Sequence, residues 1–204
     1  MKNSFERTLI IVKHDGVARG LIGEIVSRFE RVGLKLIAFE MLSATQDMGH
    51  QHYPSTDEWL IKVGNRTLTE YKEKGISPQK KFGTADAKKI GKMIKQWNVD
   101  YLTAGPVVAM VWEGPNAVKV GRKLVGNTVP ALAEPGTIRG DYSWDSAELA
   151  NEYERPFYNL VHASGNTEEA KTEIELWFDK KEIIDYTSPV HHKMGMYGKY
   201  LSSR

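Results

Sequence analysis

Two unbroken apolar runs constrain what this chain can fold into more than any other feature. Thr8-Leu-Ile-Ile-Val-Lys13 is rich in β-branched residues and stops at the turn His14-Asp15-Gly16, and Pro106-Val-Val-Ala-Met-Val-Trp112 stops at Gly114-Pro115-Asn116. Short apolar runs bounded by turn residues are the mark of buried strands. After the first run, Leu21, Ile22, Ile25, Val26, Phe29 and Val32 recur at helical spacing and Gly33 closes the pattern, so an amphipathic helix packs on that strand. Residues 34–44 alternate loosely and restore the strand period, which makes β-α-β within the first 44 residues.

Residues 45–104 differ in character. They are polar and charged, punctuated by Pro54, Gly64, Gly75 and Pro78, and read as helical and peripheral. Their clearest element starts at Thr84 as N-cap, with Ile90, Met93, Ile94 and Trp97 on one face and Lys88, Lys89, Lys92 and Lys95 turned to solvent. The second apolar strand leads into a helix carrying Arg122, then into an irregular stretch, 126–140, long enough to be a functional loop. Asp145 and Glu148 have capping-box spacing before another short helix. Tyr158-Asn-Leu-Val-His162 reads as a strand end, and Asn166 with Glu169 caps a last helix whose apolar face is Ala170, Ile174, Trp177 and Phe178. This order predicts an α+β fold: a ferredoxin-like βαββαβ antiparallel sheet with helices on one face.

With 41% hydrophobic and 26% charged residues, the composition is that of one globular domain, and a net charge of +2 leaves phosphate binding to a local cluster of cations. The absence of cysteine excludes disulfides and thiolate metal sites, and no apolar run approaches the ~20 residues that span a bilayer. A soluble cytoplasmic protein without a membrane partner is expected.

Neither Gly-x-x-x-x-Gly-Lys-Ser/Thr nor Gly-x-Gly-x-x-Gly occurs, so the two common routes to nucleotide binding are closed. What remains is a set of cations at the edges of core elements: Lys13 ending the first strand, Arg122 on a helix, and Arg139 in Thr137-Ile-Arg-Gly-Asp141. Converging, they would hold a polyphosphate by charge-assisted hydrogen bonds. His162 leaves a buried strand just before a capped helix, where a fixed backbone presents its ring. A neutral imidazole can attack phosphorus without a separate base. Asp141, His162 and Glu173 match no common metal-ligand spacing, and no protein metal site is assigned.

Glu6-Arg-Thr-Leu, Val12-Lys-His-Asp-Gly16, Arg19-Gly-Leu-Ile-Gly23, Gly105-Pro-Val-Val-Ala-Met-Val, Pro135-Gly-Thr-Ile-Arg-Gly-Asp141 and Asn159-Leu-Val-His-Ala-Ser164 closely resemble, in the same order, the nucleoside diphosphate kinase family. The resemblance spans 6–53 and 105–186. It implies ping-pong transfer of the γ-phosphoryl group of ATP, or another nucleoside triphosphate, to a nucleoside diphosphate, with His162 attacking through Nδ1 and becoming phosphohistidine. By the same resemblance Lys13, Arg122, Thr128, Arg139 and Asn159 contact phosphates or ribose, Tyr53 lies beside the histidine, Glu173 orients the imidazole and Ser164 neighbours it. Mg²⁺ would ride on the nucleotide phosphates, and the chain would form a homo-oligomer, hexamer or tetramer. A single domain, 1–204, would then carry insertions within 54–104, over the base as a lid, and within 142–157, plus a tail, 187–204, whose His191 and His192 are expected to be exposed.

Three departures stand out. His14 replaces the proline of the family's Lys-Pro-Asp-Gly, Ala163-Ser164-Gly165-Asn166 replaces Gly-Ser-Asp-Ser with loss of a carboxylate, and the first insertion leaves Trp59 as a candidate to stack on the base. A nucleotide-binding or regulatory relative without turnover is the alternative. A single-strand RNA binder would need a basic and aromatic strand motif, which 106–112 lacks, so nucleic acid is not expected as a partner. A protein-histidine phosphotransfer partner would have no use for Lys13, Arg122 and Arg139.

Overall fold

The computed structural model describes residues 5–189 of the 204; His191 and His192 lie outside the described residues. In chain order the elements are β1 (Phe5–Val12), α1 (His14–Ala18), α2 (Ile22–Arg31), β2 (Lys35–Ser43), α3 (Gln46–His52), α4 (Asp57–Glu73), α5 (Pro78–Phe82) and α6 (Ala87–Thr103). There follow β3 (Pro106–Pro115), α7 (Ala117–Val125), α8 (Ile138–Tyr142), α9 (Ala147–Glu152), β4 (Val161–Ala163) and α10 (Thr167–Trp177), with 3₁₀ turns at Pro130–Leu132 and Lys180–Glu182. The strands form one antiparallel sheet in the order β2-β3-β1-β4, the ferredoxin-like plan.

The two apolar runs become the central strands β1 and β3, and alternation sends their residues to opposite faces. Ile10, Val12, Val108, Met110 and Trp112 join one core with Ile25 and Phe29 of α2 and Ala117 and Val125 of α7; Phe29 stacks on Trp112 at 5.2 Å. Leu9, Ile11, Val107, Ala109 and Val111 join a second core with Leu102 of α6, Trp177 of α10 and Phe178. The expectation of helices on one face therefore holds for the crossover helices α2 and α7 but not for the whole sheet. Runs without a polar residue need cover on both sides, and α3, α6 and α10 supply the second cover.

The region 45–104 is helical, with three corrections of detail. Gly64 is not a break but lies inside α4, where it meets α6. A Cβ on Gly64 would sit 1.8 Å from the Ala87 carbonyl oxygen, and one on Gly91 would sit 2.0 Å from that of Leu60. The two helices thus cross backbone to backbone at paired glycines. The N-cap of α6 is Asp86, whose carboxylate accepts from Lys89 N at 2.8 Å, while Thr84 Oγ1 accepts from Asp86 N. Lys95 is buried rather than turned away, its ammonium donating to the His50 carbonyl at 2.9 Å and to Ser55 Oγ.

In the second half, the 126–140 stretch is partly core, since Ile138 and Arg139 of α8 are buried. Asp145 does not open a capping box. Ser146 Oγ accepts from Leu149 N, and the Asp145 carboxylate instead takes Arg155 at 2.5 Å and Tyr158 N at 2.7 Å, tying α9 back to the chain that leads into β4.

Candidate active site

β4 and the end of β1 are locked together before any side chain enters the cleft. Leu160 takes a left-handed φ of 65° and its carbonyl accepts from Lys13 N at 2.8 Å. Gly16 packs on that carbonyl: a Cβ there would lie 3.3 Å from Leu160 O and 2.8 Å from Val12 Cγ1. His162, the middle residue of β4, pairs with Ile11. Lys13 follows as N-cap of α1, so the imidazole and the ammonium leave adjacent strand ends into the same cleft of about 710 Å³.

Lys13 is 5% exposed, donates to Asn159 Oδ1 at 2.9 Å and lies 4.4 Å from the centroid of the Tyr101 ring. Asn159 Nδ2 donates in turn to the Thr128 carbonyl at 3.0 Å. Arg139, 3% exposed, makes four hydrogen bonds to carbonyl oxygens: Asn159 at 3.0 Å, Gly126 at 3.0 Å, Asn127 at 3.2 Å and Val161 at 2.5 Å. Arg122 reaches over from α7 towards the Ala163 carbonyl at 3.5 Å. Burial, then the Arg139 guanidinium, pull the Lys13 pKa down to about 7 against an upward pull from Asp15; burial and then Arg122 pull Arg139 down to about 9. Buried cations held against their own repulsion mark a site that gains from an anion.

His162 faces these cations from a neutral state. Burial, followed by Lys13, Arg139 and Arg122, holds its pKa well below the usual histidine range. Its Nε2 lies 3.1 Å from Glu173 Oε2, and Ser164 Oγ donates to the same oxygen at 2.6 Å while accepting from Leu9 N at 3.1 Å. Burial raises the Glu173 pKa, while His52 and the Ser164 hydrogen bond pull it down. An ionised carboxylate at Nε2 assigns the imidazole proton to that nitrogen and leaves Nδ1 as the bare one.

The structure brings together every site residue named from the sequence. Lys13, Arg122, Thr128, Arg139, Asn159 and His162 line one cleft with Tyr53 and Glu173, and Ser164 sits directly behind Glu173. Tyr53 closes α3, and burial raises its hydroxyl pKa. Trp59, from the first turn of α4, lines the outer end with Pro54 and Asn98. Asp141 is elsewhere, paired with Arg28 at 2.7 Å. His14 packs edge-on against Tyr101 at 5.1 Å, and Glu169 places a carboxylate 3.0 Å from Gly165 N, where the 163–166 segment lacks one. His52 was overlooked: it lines the cleft and meets the His162 ring at 4.4 Å. A polar residue in step with buried Gly49 on α3 was the available signal.

A ferredoxin-like sheet that aims a neutral histidine at a buried cluster of cations defines a class, the α+β phosphoryl-transfer proteins. Comparison with known proteins narrows it. The nucleoside diphosphate kinase family model matches residues 6–61 and 79–183. A nucleoside diphosphate kinase of Pyrobaculum aerophilum is 51% identical over 180 residues, 88% of this chain and 98% of that protein. The crystal structure of an NDP kinase from the same organism superposes with a TM-score of 0.87 at 49% identity, over 89% of this chain and 100% of that one. A Borrelia burgdorferi nucleoside-diphosphate kinase, a transition-state mimic with bound vanadate and ADP, gives a TM-score of 0.72 at 37% identity, over 91% of this chain and 94% of that one. The chain belongs to the nucleoside diphosphate kinase family.

Proposed function

We propose that His162 carries the phosphoryl group in a ping-pong exchange between nucleoside triphosphates and diphosphates. The carrying observation is the Glu173 contact to Nε2, which leaves Nδ1 bare opposite Lys13, Arg122 and Arg139. Nδ1 attacks the γ-phosphorus and the P–O bond to the departing diphosphate breaks, giving phosphohistidine; a second diphosphate then takes the group back through its terminal oxygen. Three cations spread around the phosphates supply the charge stabilisation that phosphoryl transfer mainly needs. Asn159 and Thr128 hold phosphate or ribose, Tyr53 flanks the histidine, Ser164 steadies Glu173, and Trp59 stacks on the base. The Borrelia relative with vanadate and ADP supports the same use of the cleft.

Mg²⁺ belongs on the nucleotide phosphates, where it neutralises charge. His52, His162 and Glu173 are the one group among the described residues with metal-ligand proximity, within 4.8 Å, and they offer two imidazoles and a carboxylate already engaged by Ser164. A hard cation prefers oxygen and water, so that donor set does not suit it.

The same reading includes a homo-oligomer, hexamer or tetramer, and a cytoplasmic location; among the described residues no helix is long and apolar enough to cross a membrane. The test is incubation with Mg-ATP. One acid-labile, base-stable phosphate per chain is expected, removed by GDP with formation of GTP, and His162→Ala takes up none while keeping its fold. Glu173→Ala slows exchange by about 10–100-fold rather than abolishing it. An unmodified intact mass of the wild type would sink the reading.

A further inference from the structure

His52 ends α3 with its ring buried. Edge-on contacts join it to His162 at 4.4 Å, Tyr53 at 4.9 Å and Trp177 at 5.7 Å. The Trp177 indole can only donate, so its 3.2 Å bond to His52 Nδ1 has one direction, and Nδ1 must present a lone pair. Burial, then the neighbouring His162 ring, pull the His52 pKa down to about 3, so the ring is neutral and its single proton sits on Nε2. That Nε2–H is buried and has no hydrogen-bond partner. Glu173 and Trp177 stand one turn apart on the same face of α10, so the ring that gives Nδ1 to Trp177 also adjoins Glu173. The ligand atoms of His52, His162 and Glu173 all lie within 4.8 Å of one another.

A transition metal at this trio would need a lone pair on His52 Nε2. The Trp177 N–H denies it, because a neutral imidazole cannot accept at both nitrogens. The trio therefore holds an N–H where a metal would need a third lone pair.

We propose that His52 is a positioning residue: with Trp177 fixing its proton on Nε2, the polar N–H edge of the ring beside Glu173 acts through its dipole to keep that carboxylate ionised against His162 Nε2–H, which keeps His162 Nδ1 unprotonated. Glu173 then has hydrogen-bond contacts from Ser164 and His162, with the His52 ring within 4.8 Å. Tyr53 adjoins them, while Lys13, Arg122 and Arg139 face His162 from the cleft side. The effect on rate rests on the phosphohistidine reading; the effect on the tautomer does not.

The test uses the full-length protein with ¹⁵N-labelled imidazoles. In the wild type, His162 is expected as a single tautomer with Nδ1 unprotonated. His52→Phe keeps a ring but removes the donor, and is expected to mix the His162 tautomers and slow phosphorylation by Mg-ATP about 10–100-fold, with little change in KM. The acid limb of its rate profile moves to higher pH, because Glu173 then protonates earlier. His52→Gln, which can accept from Trp177 and present an N–H beside Glu173, restores most of the rate. A His52→Phe protein with wild-type tautomer and rate overturns the proposal, and so does one that is slow with an unchanged tautomer and pH profile. Should His52→Phe fail to fold, Trp177→Phe decides: unaltered tautomers at His52 and His162 reject the lock. A wild type that accepts no phosphate defeats the phosphohistidine reading alone, since the tautomer comparison still stands.

Discussion

Lys13 links the end of β1 to the cleft, and its chemistry couples binding to protons. With a pKa of about 7 in the free chain, it is charged below neutrality and mostly neutral at pH 8. A bound polyphosphate favours the ammonium and raises that pKa, so binding at pH 8 takes up a proton and weakens as pH rises through 7. Titration calorimetry in two buffers of different ionisation heat should show uptake at pH 8 and none at pH 6; Lys13→Arg should remove it, because a guanidinium stays charged. Equal heats in both buffers at pH 8 would reject this coupling. At this scale the sequence offered the charged residues and His162 plainly, as ends of readable strands. It did not offer His52 or Tyr101, because their importance lies in which ring each one touches, and those partners are remote in sequence.

The crossing of α4 and α6 depends on two missing side chains. Gly91→Val places atoms against the Leu60 carbonyl, which belongs to backbone and cannot swing aside. The expected cost is about 1–3 kcal/mol, seen as a melting temperature several degrees lower at fixed protein concentration. Gly91→Val at wild-type stability would mean that the helices have slack to separate. Asp86→Ala should cost about 1 kcal/mol and more than Thr84→Ala, as a true N-cap does. Among elements with a strong period, α2 and α10 were legible within a residue, while β1 and β3 each run three residues beyond their apolar runs, to Phe5 and Pro115. Gly64 misled because glycine looks the same in a turn and in a close helix crossing, and Lys95 because a long amphipathic stem follows helical spacing whichever way it packs.

For the whole molecule, β2 is an edge strand whose far side bears Phe39 and Met41, 49% and 55% exposed. Among the described residues, the segment after α10 covers only the start of that strand, through Ile184 N to Ile37 O and the Tyr186 hydroxyl to Leu36 O. An edge left open by the described residues, with exposed apolar side chains, favours pairing with another copy. Light scattering should give a mass well above the 23.1 kDa of one chain, and Phe39→Glu with Met41→Glu should lower it; a wild-type monomer at working concentration would reject the oligomer. Sheet order was legible because few topologies join these strands, whereas the covering of its second face was not, since α3 and α6 come from the polar 45–104 region. Arg139 ties the strands of this plan to their function in another way. The guanidinium offered to an incoming anion is also the pin through the 126–127 and 159–161 segments, so the cleft cannot shed that cation and keep its walls. Drift at this position is closed in both directions: a weaker ligand-binder here is also a looser protein, and selection for mere solidity preserves the arginine even in a descendant that has stopped turning over nucleotides.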